Sequence, residues 1–185
     1  MGIYEGAETR EISFPLGGIG TGSIGLGGNG RLMDWEIFNK PDKGSLNRFS
    51  NIMVRAVDRD GRVFAKALNG DLQKDFMGQY SKGKFFGYGF GPAGTTMAGF
   101  PHFKTHVFTG EFPIAVIRFS DDKFPGDVEL TAFNPLIPMD SLNSSIPAAF
   151  FELEFSNPTE DAITYDAAFS LNNPFEQSIN KIINR

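Results

Sequence analysis

Polar and apolar positions alternate with a period of two along most of this chain, and almost nowhere with a period of 3.6. Successive side chains of a strand point to opposite faces, so the alternation predicts strands with one buried and one wet face. "NIMVRAVDRDGRVFAKAL", residues 51–68, reads as a strand, an Asp60-Gly61 turn and a return strand, the pattern of a β-hairpin. The pattern places strands near 51–57, 62–68, 103–108, 113–119, 127–133, 149–155 and 162–171. Pro135, Pro138 and Pro147 bracket an extended connection, and an Asn157-Pro158 turn separates the last two strands. Helical signals are confined to "DWEIFN" (34–39) and "EQSINKII" (176–183). Many short strands with turns between them predict an all-β, antiparallel sandwich. Residues 69–101 lack periodicity and are rich in glycine and aromatics, the profile of a long functional loop.

Composition narrows the function classes. The 185 residues suffice for one domain with a sizeable core, and no linker or internal repeat divides them. The formal net charge of −5 reads against a nucleic-acid partner. Cysteine is absent, which rules out disulfides and thiolate metal sites. No apolar run approaches transmembrane length, and the N-terminus has no signal-peptide h-region, which favours a cytoplasmic location. Gly6 stands where a myristoylation motif needs Ser or Thr.

"FPLGGIGTGSIGLGGNGR" (14–31) contains the spacing G-x-G-x-x-G twice, at Gly20-Gly22-Gly25 and Gly25-Gly27-Gly30. A dinucleotide-binding loop needs a strand before it and a helix opening within it. Pro15 lies upstream, glycines continue to Gly30, and no βαβ unit follows. The stretch therefore reads as a glycine-studded strand, a tight turn at Asn29-Gly30 and a return strand. Asp58-x-Asp60-Gly61 lacks the later ligands of a calcium loop, so a hairpin turn accounts for it. His102 and His106 have the spacing of a zinc helix, but four residues of strand span about 13 Å, so a solvent or edge role is expected for both. Neither a metal nor a cofactor is expected.

Paired carboxylates are the tools of glycoside hydrolysis. Asp34 and Glu36 would share a strand face, as would Glu152 and Glu154, about 6.5–7 Å apart along the strand. "FELEF" is the ordinary pattern of a half-solvated strand, so Glu152 and Glu154 are assigned to solvent. Asp34 and Glu36 flank Trp35 beside the glycine stretch and are the better candidates. Most of the 20 Phe are expected in the core. Trp35, Tyr80 and Tyr88 are the aromatic rings suited to stacking on a sugar.

"FPLGGIGTGSIGLGGNGRLMDWEIFNKP" and "GEFPIAVIRFSDDKFPGDVELTAFNPLIPMDSLNSSIPAAFFELEFSNPT" together resemble the N-terminal domain of glycoside hydrolase family 116. This is the family of bile-acid (non-lysosomal) β-glucosidase, also called glucosylceramidase, and its bacterial relatives. The resemblance runs from about Ser13 to Leu171. It implies a glycosidase-type N-terminal β-sandwich over 1–185, incomplete because the family's domain is longer. It implies retaining β-glycoside hydrolysis by the full protein. The Glu nucleophile and Asp acid/base would belong to a C-terminal (α/α)₆ catalytic domain that this chain lacks. That domain would be the partner and would bring the β-glycoside substrate, so the 185 residues alone are expected to be inactive. No residue here inherits a catalytic role. Gly20, Thr21, Gly22, Asp34, Trp35 and Glu36 are the candidates for the rim of the sugar pocket or the interface with the catalytic domain. The alternative reading is a stand-alone carbohydrate-binding or structural β-sandwich. Because the sandwich is incomplete, inward-facing apolar residues of the last strand are expected to be exposed: Ile163, Tyr165, Ala167 and Phe169, or the alternate set if the register is reversed.

Overall fold

A computed structural model describes residues 2–47, 49–70, 97 and 99–174. Within them the chain is all-β apart from two single turns of helix. Its strands, in chain order, are β1 (Gly2–Glu5), β2 (Ser13–Leu16), β3 (Ser23–Gly27), β4 (Leu32–Glu36), β5 (Asn51–Val57), β6 (Val63–Ala67), β7 (Thr105–Glu111), β8 (Ile114–Ser120), β9 (Asp127–Phe133), β10 (Phe150–Ser156) and β11 (Thr164–Ser170). A 3-10 turn covers Gly6–Thr9, and the α-helical turn α1 covers Ser141–Ser144. The strands form a five-stranded sheet β1-β7-β8-β9-β10 and two three-stranded sheets, β11-β5-β6 and β2-β3-β4. All pairings of named strands are antiparallel.

Alternation sets the core. Ala115, Ile117 and Phe119 of β8, and Val128, Leu130 and Ala132 of β9, point inward from the five-stranded sheet. Ile52, Val54 and Ala56 of β5 join the same cluster, as do Leu16, Leu26 and Trp35 of the small sheet, so the sheets pack sandwich-like over one apolar layer. Phe103 anchors it, with ring centroids 5.5 Å from Phe119 and 5.2 Å from Phe124.

The seven strands expected after residue 50 are present, displaced by no more than a few residues at their ends. In the β5–β6 hairpin the Asp58 carboxylate accepts hydrogen bonds from Asp60 N and Arg62 N, both 2.9 Å. That use of the side chain is what an Asx-type turn requires. The glycine stretch becomes β3, a turn and β4, with Gly27 N donating to Arg31 O at 2.7 Å. Three features differ from expectation. "DWEIFN" is not helical; Asp34 to Glu36 belong to β4. The helical turn lies instead at 141–144, where the Asp140 side chain accepts from Asn143 N, a short local cap that carries little periodicity. β1 and β2, four residues each, have no counterpart among the expected strands. The second helix candidate, 176–183, lies outside the described residues, as do Tyr80 and Tyr88.

β10 and β11 are consecutive, yet they belong to different sheets. They lie across the sandwich from each other, with Phe155 stacked on Tyr165 at 4.8 Å and Phe151 at 6.4 Å from Phe169. Among the described residues each ends its sheet. Ile163, just before β11, and Tyr165 within it are half-buried, whereas Ala167 and Phe169 are exposed. The expected exposure thus holds for the second half of that set.

Candidate functional site: a cleft beside the glycine turn

The turn before β3 is built by close approaches that only glycine permits. Gly22 has φ +88°, and a Cβ there would stand 2.8 Å from Glu36 O. A Cβ on Gly18 would collide with the carbonyl of Ile146. Thr21 closes the turn, its hydroxyl donating to Gly18 O at 2.9 Å. From below, the buried Asn134 clamps it: Oδ1 accepts from Gly17 N at 2.6 Å, and Nδ2 donates to Pro15 O at 2.8 Å. The glycines therefore let two loops and a strand meet. No helix opens within the stretch to hold a phosphate.

Gly20, Thr21 and Gly22 line one wall of an open cleft of about 540 Å³, and Glu36, Asn39, Lys40 and Pro41 line the other. Four of the six expected rim residues meet there. The remaining two, Asp34 and Trp35, lie behind it. Their placement follows from a bulge: Gly25 pairs with Met33 and Ser23 with Glu36, so Ile24 faces both Asp34 and Trp35. Asp34 takes φ +50°, a left-handed conformation that Asp tolerates better than most residues.

Lys43 brings the two carboxylates together. Its Nζ is 2.8 Å from Glu36 Oε2 and 3.7 Å from Asp34 Oδ2. Asp34 is buried and also accepts from Ser13 Oγ and from Gly44 N, both at 2.6 Å. Burial alone would raise its pKa, but the Ser13 and Gly44 hydrogen bonds and the Lys43 charge together hold it below the ordinary carboxylate value. Glu36 is lowered as well, first by its hydrogen bond to Lys43 and then by Asp42 N, while Glu36 raises Lys43. A glycosidase general acid needs a raised pKa. This pair is held ionised by contacts from Ser13 and from the 42–45 loop. The loop is fastened further by Asp34 N to Ser45 O at 2.9 Å and Trp35 N to Ser45 Oγ at 2.8 Å. Asp34 and Glu36 thus hold the 42–45 loop beside the cleft.

Trp35 is not an exposed sugar platform. Only 8% of it is accessible, because the bulge turns it inward. It lines an apolar groove of about 320 Å³ with Leu16, Ile24, Phe151, Phe169 and Leu171. Its indole N–H is buried and finds no acceptor among the described residues. The expectation for His106 is also corrected. It is buried in β7 at 7% exposure, its Nε2 is 2.9 Å from Thr9 Oγ1, and burial pushes its pKa down. His102 precedes β7, half-buried, with Nδ1 2.8 Å from Asn69 Oδ1. Glu152 and Glu154 face outward, as the alternation predicts.

Sequence reasoning did not single out Asn134, Lys43, Ser45 or Ser144. The proline-bracketed segment was the available signal for Asn134 and Ser144. Nothing local marks Lys43, because its partners belong to a strand on the far side of a loop.

No helix among the described residues is long and apolar enough to cross a membrane. No curated protein sequence matches the chain. The family model described as "beta-glucosidase 2, glycosyl-hydrolase family 116 N-term" matches residues 13–182. That span takes in the glycine turn, both walls of the cleft, the Asn134 clamp and every strand from β2 to β11. The chain belongs to the family of the glycosyl hydrolase family 116 N-terminal domain, the accessory domain of a glycosidase that has a catalytic partner domain.

Proposed function

We propose that residues 1–185 pack on a C-terminal (α/α)₆ catalytic domain of the same protein and complete the rim of its β-glucoside pocket with the cleft between the glycine turn and residues 36–41. The hydrolysis is retaining, and both reacting carboxylates come from the partner domain. The observation that carries this reading is the cleft itself: Gly20, Thr21, Gly22 and Glu36 converge there on loops pinned by Asn134 and Lys43. A rigid polar wall of this kind orients a substrate's outer part without acting on its reacting bond. Of the three rings that a stand-alone sugar-binding module would use, Trp35 is buried, and Tyr80 and Tyr88 lie outside the described residues.

The test uses the full-length enzyme. Lys40→Ala removes a cleft-lining side chain that is exposed, and Glu36→Gln weakens the Lys43 contact. A rim contact with the aglycone predicts a KM for aryl β-glucosides raised on the order of threefold or more with little change in kcat. Unchanged KM in both variants would remove the cleft from the pocket. Absence of β-glucosidase activity in the wild-type enzyme would sink the reading as a whole.

A further inference from the structure

Beside the cleft, one end of the sandwich carries a second surface of different chemistry. Residues 134–149 leave β9, make α1 and return to β10. They display Met139, Leu142, Ile137 and Ile146 with relative exposures of 105%, 81%, 50% and 43%, and Ile19 from the glycine turn adds 59%. Hydrogen bonds hold together the backbone segments that carry these side chains. Ile19 N donates to Ser144 O at 2.9 Å, and buried Ser144 ties its Oγ to both the N–H and the carbonyl of Ile137 at 2.9 Å. Met139 sits at φ +68°, a conformation that costs free energy in a residue with a Cβ, and it is spent on a fully exposed side chain.

The patch is nearly free of charge. Between Asn134 and Ala149 only Asp140 is ionisable, and its carboxylate is occupied by the backbone N–H and side-chain amide of Asn143. Large apolar side chains exposed close together mark interaction sites on soluble proteins, and the centres of permanent interfaces are the places depleted of charge. A lipid surface would call for basic residues around the apolar tips, whereas this segment has none and the chain as a whole carries −5. Pro147 and Ala148 continue the patch into the Trp35 groove, where Thr21 and Gly22 form part of the wall. Those same two residues line the polar cleft.

We infer that Ile19, Ile137, Met139, Leu142 and Ile146 form the face on which the catalytic domain of the same polypeptide docks. The inference rests on the accessory-domain reading above and adds the contact face. A partner seated there is delivered directly against the cleft.

In the full-length protein, Leu142→Glu and Met139→Glu are compared with Val63→Glu, which alters an exposed residue of β6 away from the patch. The wild type and Val63→Glu should unfold in one coupled transition. The two patch variants should show two transitions and new protease cleavage between the domains. The 185-residue chain carrying the same patch substitutions should melt like its parent, because those side chains already face solvent. Coupled unfolding in both patch variants would overturn the inference. So would a wild-type dimer that Leu142→Glu dissociates, or wild-type binding to phosphatidylcholine–phosphatidylserine vesicles that Leu142→Glu abolishes. Glucosidase activity of the wild type is scored separately: its absence refutes the proposed function, whereas coupled patch variants in an active enzyme refute only this face.

Discussion

At the scale of single residues, the buried ion pair Lys66–Asp121 shows how charge is handled inside this sandwich. Nζ and Oδ2 are 2.9 Å apart, and both side chains are below 8% exposure. Lys66 also donates to His102 O at 3.0 Å. Asp121 accepts from Lys104 N at 2.9 Å and Lys123 N at 2.8 Å. Burial pushes the Asp121 pKa up, but these donors and the Lys66 charge bring it down to about 2. Its folded value lies below its unfolded one, so the unfolded chain binds the extra proton as pH falls. The stabilisation is complete above about pH 4 and is lost toward pH 2, amounting to about 2 kcal/mol. Urea titrations across that window should show the loss in the parent. Asp121→Asn should flatten it and be less stable by about 3 kcal/mol at neutral pH, since Lys66 is left buried and unpaired. An unchanged acid limb in the variant would show that other carboxylates carry the dependence.

At the scale of elements, the glycine turn and the 141–148 segment are one unit. Gly18 lies against the Ile146 carbonyl with no room for a methyl group, and the Ile19 N to Ser144 O bond locks the two strips together. A Gly18→Ala substitution must part them or displace the turn, at a cost of about 1–3 kcal/mol. Chemical denaturation should show that loss, together with faster hydrogen exchange at the Ile19 amide. Exchange and stability equal to the parent's would mean that the two strips move independently.

At the scale of the molecule, the sheets end unequally. β6 has an inward-pointing Lys66 on its edge strand and a cover from Pro101, whose carbonyl accepts from Ala67 N at 2.9 Å. Those devices deter strand addition. β11 has no proline, lysine or inward charge in "TYDAAFS", and Phe169 is 54% exposed. An edge of that kind is a template for another chain. The 185-residue protein should therefore associate as its concentration rises, visible by light scattering. Phe169→Lys should suppress the association. A monodisperse and highly stable parent would disprove it.

Local pattern determined the strands, because alternation is imposed by the pleat and is written in neighbouring residues. β5 and β9 could be read from it to the residue, as could the Asp58–Gly61 turn, and the long stretches around Gly20 and Asn134 carried the family. The tertiary structure alone decided which strands share a sheet. β10 and β11 are joined by the connection 157–163, which opens with Asn157-Pro158 and suits a hairpin equally well, and packing of Phe155 on Tyr165 puts them in opposite layers. It also decided the fate of the candidate side chains. A one-residue bulge in β3–β4 buries Trp35 and puts Asp34 behind the cleft, and alternation carries no record of a bulge. His106 is buried against Thr9, 97 positions away, and Asn134 holds Pro15 from 119 positions away. Contacts at that separation form only when the chain has folded, so the neighbours of these residues hold no sign of them.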